Sequence, residues 1–110
     1  MINSIERIKQ YTKDWDDYNA EPATEYTINN ALKFIDILPN NMNCKPIISL
    51  AGEGEICFIW KAEEYKLDLG FYGDGTYSYY GKDYSNNKEL FDDDIIVDCI
   101  SDEILQLITF

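Results

Sequence analysis

Histidine is absent from this chain of 110 residues, and arginine occurs only once, at Arg7. Without imidazole, the chain cannot form the Ser-His or Cys-His pairs of nucleophilic catalysis or the imidazole ligands of zinc and iron centres. A single arginine also leaves few bidentate contacts for phosphate, which argues against direct binding of nucleic acid. We therefore expect a protein that is not an enzyme and uses no cofactor.

Long apolar runs are also missing. The longest stretches, such as 56–60 and 95–97, are far shorter than the roughly 18 to 20 residues that cross a bilayer. The first six residues lack the basic flank and apolar run of a secretory signal. These features predict a cytoplasmic protein with no membrane contact.

Cysteine is scarce and irregularly spaced. Cys44, Cys57 and Cys99 form no Cys-x-x-Cys pair, so neither a disulfide framework nor a zinc knuckle is expected. Cys57 lies in a strand pattern and Cys99 follows one, which predicts free and mostly buried thiols.

Acidic residues are abundant and unevenly placed. The formal net charge is -12. Residues 1–45 hold five Lys/Arg against seven Asp/Glu, a net of -2, and residues 46–110 hold four against fourteen, a net of -10. The second half therefore carries the acidic field, which repels phosphate backbones.

The first 40 residues read as two helices. A helix is predicted from Asn3 or Ser4 to about Asp14, followed by an irregular connection over 15–22. A second helix begins at the N-cap Thr24 and ends before Pro39. Its apolar stripe has helical spacing and comprises Ile28, Ala31, Leu32, Ile35 and Leu38.

From Pro46 onward the apolar period changes from 3.6 to 2, which predicts strands. Four strands are expected, at 47–50, 55–61, 65–71 and 76–81. Asp74-Gly75 supplies the positive φ angles of a tight hairpin turn between the last two. Residues 95–99 are a short strand or an extended stretch, and Ser101 caps a final helix.

These elements predict one α+β domain over residues 1–110. It has two N-terminal helices, a four-stranded antiparallel meander and a short C-terminal helix, with the helices packed on one sheet face.

Two acidic patterns raise the question of metal chemistry. Asp92, Asp93 and Asp94, with Asp98 downstream, could offer oxygen ligands to Ca²⁺ or Mg²⁺, but they lack EF-hand spacing. We expect a solvated loop there and no metal. Glu55 with Glu64-Tyr65-Lys66 is similar to the acidic pair and E-x-K arrangement of metal-dependent nucleases, which stays as an alternative.

Tyrosines cluster around the predicted hairpin, within thirteen residues: Tyr72, Tyr77, Tyr79, Tyr80 and Tyr84. Strand alternation places tyrosine on both sheet faces, and only one face can pack beneath helices. Exposed tyrosines beside carboxylates are typical of protein interfaces, although cross-strand packing on a small sheet is an alternative explanation.

Three short motifs carry a resemblance: W-D-D-Y-N-A-E-P at 15–22, G-E-I-x-x-x-W at 54–60 and G-D-G-x-Y at 73–77. Over about residues 10–85 the chain resembles a group of small uncharacterised bacterial and phage proteins. The resemblance implies the domain outline and a bacterial or mobile-element origin, hence a bacterial or phage-infected host cell. It assigns no functional residue.

These expectations together predict a stoichiometric inhibitor that binds a basic, nucleic-acid-handling protein, as a phage anti-defence (anti-CRISPR-like), immunity or antitoxin protein. Carboxylates on alternate strand residues lie about 6.6 Å apart, close to phosphate spacing. An assembly module that homodimerises through a sheet edge is the alternative. The predicted partner-binding residues are Glu53, Glu55, Glu63, Glu64, Asp68, Asp74, Tyr77, Tyr80, Asp92, Asp93 and Asp94.

Overall fold

The computed structural model describes residues 24–51 and 54–109. They form two helices and a five-stranded antiparallel sheet, so the α+β class is confirmed. The elements in chain order are α1 (Glu25–Ile37), β1 (Ile47–Leu50), β2 (Ile56–Lys61), β3 (Tyr65–Phe71), β4 (Thr76–Asp83), β5 (Lys88–Ile96) and α2 (Asp102–Ile108). The helix predicted to reach Asp14 and the connection at 15–22 lie outside the described residues.

Helix α1 begins and ends where the sequence predicts. The Thr24 side chain caps it by accepting a hydrogen bond from the backbone N–H of Thr27 at 3.2 Å. Leu38 is the C-cap and Pro39 follows it. The predicted stripe omits Phe34, although this side chain is fully buried and lies three residues after Ala31, on the same face of the helix.

The sheet is a meander in the order β1-β2-β3-β4-β5, one strand more than predicted. Strand β5 pairs with β4 from Asp83 opposite Lys88 to Thr76 opposite Ile96. Three consecutive aspartates are disfavoured in strands and hide the alternation there. The predicted solvated loop at 92–94 is therefore wrong, because these residues belong to an edge strand.

One sheet face and both helices share a single core. The central ring is Phe34 of α1, whose centroid lies 5.7 Å from that of Phe58, 5.3 Å from Phe71 and 4.9 Å from Tyr77. Ile104 and Ile108 of α2 belong to the same buried cluster. The predicted packing of helices on one face is therefore confirmed for α1 and α2, and the opposite face of the sheet, here called the open face, contributes none of the buried core side chains.

The hairpin between β3 and β4 is confirmed, but its loop differs from the predicted one. Phe71 pairs with Tyr77, and the positive φ angles belong to Gly73 (91°) and Gly75 (84°). Asp74 instead closes the turn with its carboxylate, which accepts from the Thr76 N–H at 3.0 Å and the Thr76 hydroxyl at 2.8 Å. These bonds hold the pKa of Asp74 below its usual value.

The thiols are free, as predicted, but less buried than predicted. Cys44 and Cys57 are half-buried, and Cys99 is exposed. Cys57 lies opposite Gly70 on the open face, which explains its partial exposure.

Candidate protein-binding surfaces

The predicted partner-binding residues fall in separate places. Glu63 and Glu64 lie in the turn between β2 and β3, and Asp74 lies in the hairpin at the other end of β3. A seven-residue strand such as β3 is about 23 Å long, so these two turns cannot share one small contact area. Glu53 lies outside the described residues. The other predicted carboxylates lie on the open face, at Glu55 and Asp68, and on β5, at Asp92, Asp93 and Asp94.

Of the two predicted tyrosines, only Tyr80 is at the surface, with 49% of its area exposed. Tyr77 is 1% exposed and cannot contact a partner. The alternation places Tyr77 and Tyr79 under the helices and Tyr80 on the open face. The prediction that Tyr77 contacts a partner is therefore wrong, because every second side chain of β4 lies on the core face.

The densest group of carboxylates lies along one edge of the sheet and in the segment that follows it. We call this group the acidic edge. Residues 89–109 contain seven carboxylates and no lysine or arginine, and all seven side chains are exposed. They are Glu89, Asp92, Asp93, Asp94, Asp98, Asp102 and Glu103.

A β-bulge shapes the middle of the acidic edge. The register shifts between Tyr77 and Tyr79 of β4, so that Asp93 and Asp94 together oppose Ser78. Asp94 adopts a φ of 58°, a left-handed conformation that Asp tolerates better than most residues. Bulges twist a strand and discourage pairing of its outer edge with another strand.

Two core tyrosines hold the segment after β5 against the sheet. The Tyr77 hydroxyl donates to the carbonyl oxygen of Cys99 at 2.9 Å. The Tyr79 hydroxyl donates to Glu103 Oε2 at 3.0 Å and accepts from the Ser101 hydroxyl at 3.3 Å. Burial raises the pKa of Tyr77 to about 12. Both phenols therefore keep their protons at neutral pH and act as fixed donors beneath the acidic edge.

The open face carries a row of mostly apolar side chains that crosses the sheet. In register from β1 to β5, its members are Ile47, Ile59, Asp68, Tyr80 and Phe91. Ile47 is 57% exposed and Phe91 is 70% exposed. We call this set the apolar row. Asp68 is its one charged member, and it forms an ion pair with Lys66 at 3.9 Å.

A row of lysines lies beside the apolar row. Lys61 pairs with Lys66, and Lys66 pairs with Lys82, on three adjacent strands. Like charges directly opposite one another destabilise a sheet. Because the three lysines are adjacent, this lysine row forms a local basic strip on a strongly acidic protein.

Glu55 supplies negative charge on the other side of the apolar row. A Cβ atom added to Gly70 would overlap the Glu55 carboxylate, so this side chain lies over Gly70 on the open face. Burial, together with the charge and hydrogen bond of Glu55, raises the pKa of the Cys57 thiol to about 12. Cys57 is therefore a protonated, unreactive thiol at neutral pH.

A polar groove of about 340 Å³ opens between the β2–β3 turn, the β4–β5 turn and α2. In it, the Tyr65 hydroxyl donates to Asn43 Oδ1 at 2.6 Å, and Asn43 Nδ2 donates to the Leu107 carbonyl at 2.9 Å. These bonds tie the loop before β1 to the sheet and to α2. The groove is thus braced by internal contacts, with Glu64, Asp83 and Glu103 among its lining residues.

Among residues 24–51 and 54–109, no three His, Cys, Asp or Glu side chains come together as metal ligands. In the same residues, no helix has the length and apolarity to cross a membrane.

Comparison with known proteins found no matching family model, no matching curated protein and no matching solved structure.

Sequence reasoning missed part of the acidic edge, namely Glu89, Asp98, Asp102 and Glu103. The available signal was the absence of any lysine or arginine after Lys88. It also missed Phe91 and Ile96, which are 70% and 60% exposed. Their exposure depends on β5 being an edge strand and on the bulge, neither of which the sequence pattern indicates.

Proposed function

We propose that this protein is a non-enzymatic, stoichiometric inhibitor that binds a basic, nucleic-acid-handling protein through the acidic edge. The observation that carries the proposal is the run of seven exposed carboxylates over residues 89–109, a segment that contains no lysine or arginine. Phage anti-defence proteins of the anti-CRISPR type, immunity proteins and antitoxins are the classes that this mode of action fits.

The charged and the apolar side chains of this edge would contribute differently to binding. The exposed carboxylates would speed encounter with a basic surface, since like-signed charges on a rigid edge focus the electric field. Phe91 and Ile96, on the same strand as Asp92 to Asp94, would supply the short-range contact energy, because buried aromatic and aliphatic groups dominate interface energetics. Anchoring by Tyr77 and Tyr79 would keep the edge in one conformation and so reduce the entropy lost on binding.

The structure gives less support to the nuclease-like alternative. Glu55 precedes β2 and Glu64 follows it, so the two carboxylates are separated by a six-residue strand about 20 Å long. Two metal-binding carboxylates must lie within a few ångströms of one ion. The distance between Glu55 and Glu64 therefore argues against their sharing one metal ion.

The assembly alternative has one observation in its favour. Edge strand β1 (Ile47–Leu50) carries no charge, whereas pairing β5 with its own copy would bring carboxylates together. Uncharged, apolar edges are the ones that accept another strand. Pairing through β1 is therefore the form in which a sheet-edge dimer would occur.

The test uses the full chain as bait in a bacterial lysate, followed by titration calorimetry with the purified captured protein. Asp92→Asn, Asp93→Asn and Asp98→Asn are combined in one variant. Its matched control combines Glu63→Gln, Glu64→Gln and Asp74→Asn, which removes the same charge from the turns. We expect the edge variant to bind at least about tenfold more weakly, the control to bind nearly as wild type, and binding to weaken as salt rises.

Equal losses in the two variants would show that net charge, not the acidic edge, drives binding. A captured partner with an acidic surface, or affinity that does not change with salt, would overturn the proposal.

A further inference from the structure

Over β2 to β4 the open face has a charge pattern that is complementary to itself, whereas on β5 the lysine row is followed by Glu89, opposite Lys82. The lysine row lies on one side of the apolar row, and the Glu55 carboxylate over Gly70 lies on the other. From Lys66 to Gly70 along β3 is four residues, or about 13 Å. The order along the strands is therefore basic, apolar and acidic.

A two-fold axis that lies in the plane of the face and across the strands reverses this order in a second copy. The lysine row of each copy then lies over Glu55 of the other, and the two apolar rows meet at the centre. The same rotation places β5 over β5, so the two acidic edges approach each other and their repulsion keeps the dimer weak. An isologous interface needs this kind of self-complementary surface. We propose that the open face binds a second copy of this chain in this orientation, giving a face-to-face dimer.

The size of the open face fits a weak dimer. Five strands about 4.8 Å apart and three rows of side chains give roughly 480 Å² per copy, or about 1,000 Å² for both. That area is at the lower limit of specific interfaces, about 1,000 to 1,200 Å². Sheets packed in this way lie about 10 Å apart and bury alternate side chains between them. Here the buried side chains would be Ile59, Tyr80 and Phe91.

Asp68 opposes this association and so provides a graded test. It lies inside the apolar row, where it forms an ion pair with Lys66 at 3.9 Å. In the dimer, two such carboxylates approach each other near the axis and lose water, which costs free energy. Asp68→Asn should therefore strengthen the dimer.

The experiment is sedimentation equilibrium of the full chain from about 20 μM to about 1 mM, a range suited to a weak dimer. Wild type should shift from monomer to dimer across this range. Phe91→Ser and Lys66→Glu should each weaken the dimer at least about tenfold. Tyr26→Ser is the control for Phe91→Ser, because Tyr26 is 73% exposed on α1 and lies away from the open face.

Glu55→Lys separates local pairing from net charge. It makes the chain less negative. If net charge alone mattered, the smaller repulsion between the copies would strengthen the dimer. The control Glu63→Lys in the β2–β3 turn should strengthen it slightly for this reason. Loss of the contact between Glu55 and the partner's lysine row should instead weaken it. Combining Glu55→Lys with Lys66→Glu should restore most of the wild-type affinity, because the swapped charges are again complementary.

Each variant is first checked for a wild-type circular dichroism spectrum and melting temperature, and Tyr80→Ser replaces Phe91→Ser if the latter fails to fold. A monomer at every concentration would overturn the proposal. So would a dimer that keeps its affinity in Phe91→Ser and Lys66→Glu, or one that Glu55→Lys strengthens as much as Glu63→Lys. Phe91 belongs to both proposed surfaces, but the inhibitor proposal is tested separately, through the carboxylates Asp92, Asp93 and Asp98 of the acidic edge.

Discussion

The Tyr79 phenol donates a hydrogen bond to Glu103 Oε2 at 3.0 Å, joining the core face of β4 to the first turn of α2. Glu103 belongs to the acidic edge, so a buried aromatic residue fixes the position of an exposed carboxylate. The same hydroxyl accepts from Ser101, which also caps α2 through the N–H of Ile104 at 3.3 Å. The end of the chain is thereby held against the sheet by one short network.

Replacing Tyr79 with phenylalanine removes the centre of this network. We expect Tyr79→Phe to lower the free energy of unfolding by about 0.5 to 1.5 kcal/mol, the usual net value of a hydrogen bond. Urea unfolding followed by circular dichroism measures it. Tyr80→Phe is the matched control, because Tyr80 is half exposed on the open face, and a loss there as large as in Tyr79→Phe would contradict the role of the network.

Truncation of Phe34 should be the most damaging single change in α1. Phe34 is 0% exposed and contacts three aromatic rings. We expect Phe34→Ala to cost about 3 to 5 kcal/mol, since it leaves a cavity where the rings meet. Tyr26→Ala on the exposed side of α1 should change stability by less than about 0.5 kcal/mol. Thermal and urea unfolding compare the two, and similar melting temperatures would show that the aromatic cluster does not anchor the helix.

Stability should fall at alkaline pH. Burial raises the pKa of Tyr65 and of Tyr77 from 10.0 to about 12. Between pH 10 and 12 the folded chain keeps these protons while the unfolded chain releases them, so the free energy of unfolding decreases as pH rises. Below pH 10 both states are protonated and these groups contribute no slope.

Urea unfolding at several pH values from 8 to 11.5 tests this expectation. In Tyr77→Phe, the free energy of unfolding should decline less steeply above pH 10 than in wild type, once the loss of stability that is the same at every pH is subtracted. Tyr84→Phe, an exposed tyrosine in the β4–β5 turn, should decline as wild type does. Identical slopes in all three proteins would contradict the assigned cause.

Two strand glycines differ in what a methyl group would meet. A Cβ atom at Gly81 would lie 2.8 Å from the backbone oxygen of Lys66 and 2.9 Å from Leu67 Cδ1. At Gly70 the nearest atoms that it would meet belong to the flexible side chain of Glu55. We expect Gly81→Ala to cost about 1 to 3 kcal/mol, because a paired strand must move, and Gly70→Ala to cost less, because the carboxylate can rotate away. The reverse order in urea unfolding would be inconsistent with this packing.

The left-handed residue of the β5 bulge should tolerate glycine and reject β-branched residues. Asp94 has a φ of 58°, where glycine is free of steric cost and valine is not. We expect Asp94→Gly to be neutral or stabilising by up to about 1 kcal/mol and Asp94→Val to be destabilising by about 1 to 2 kcal/mol. The same substitutions at Asp93 provide the comparison. Equal effects of valine at both positions would contradict the bulge geometry.

The amino-acid sequence by itself determined the local elements. Thr24 and Ser101 cap helices because their hydroxyls accept bonds from N–H groups that have no partner within the helix. Alternation from Ile56 to Phe71 assigned the core face of β2 and β3, since the side-chain period of a strand is two. The Asp74-Gly75 pair placed the hairpin, although the positive φ angles belong to Gly73 and Gly75. All of these depend on interactions within a few residues, which a sequence pattern records.

Only the tertiary structure decided which exposed residues lie together. Strand β5 exists because β4 offers it a paired edge, which outweighs the poor strand propensity of three aspartates. That pairing gathers Asp92, Asp98 and Glu103 along one edge, while the pairing of β2, β3 and β4 aligns three lysines. Packing of the helices on one face buries Tyr77 and leaves Tyr80 exposed on the other. Strand register is set by contacts between residues distant in sequence, so the surfaces of this protein could not be derived from its local patterns.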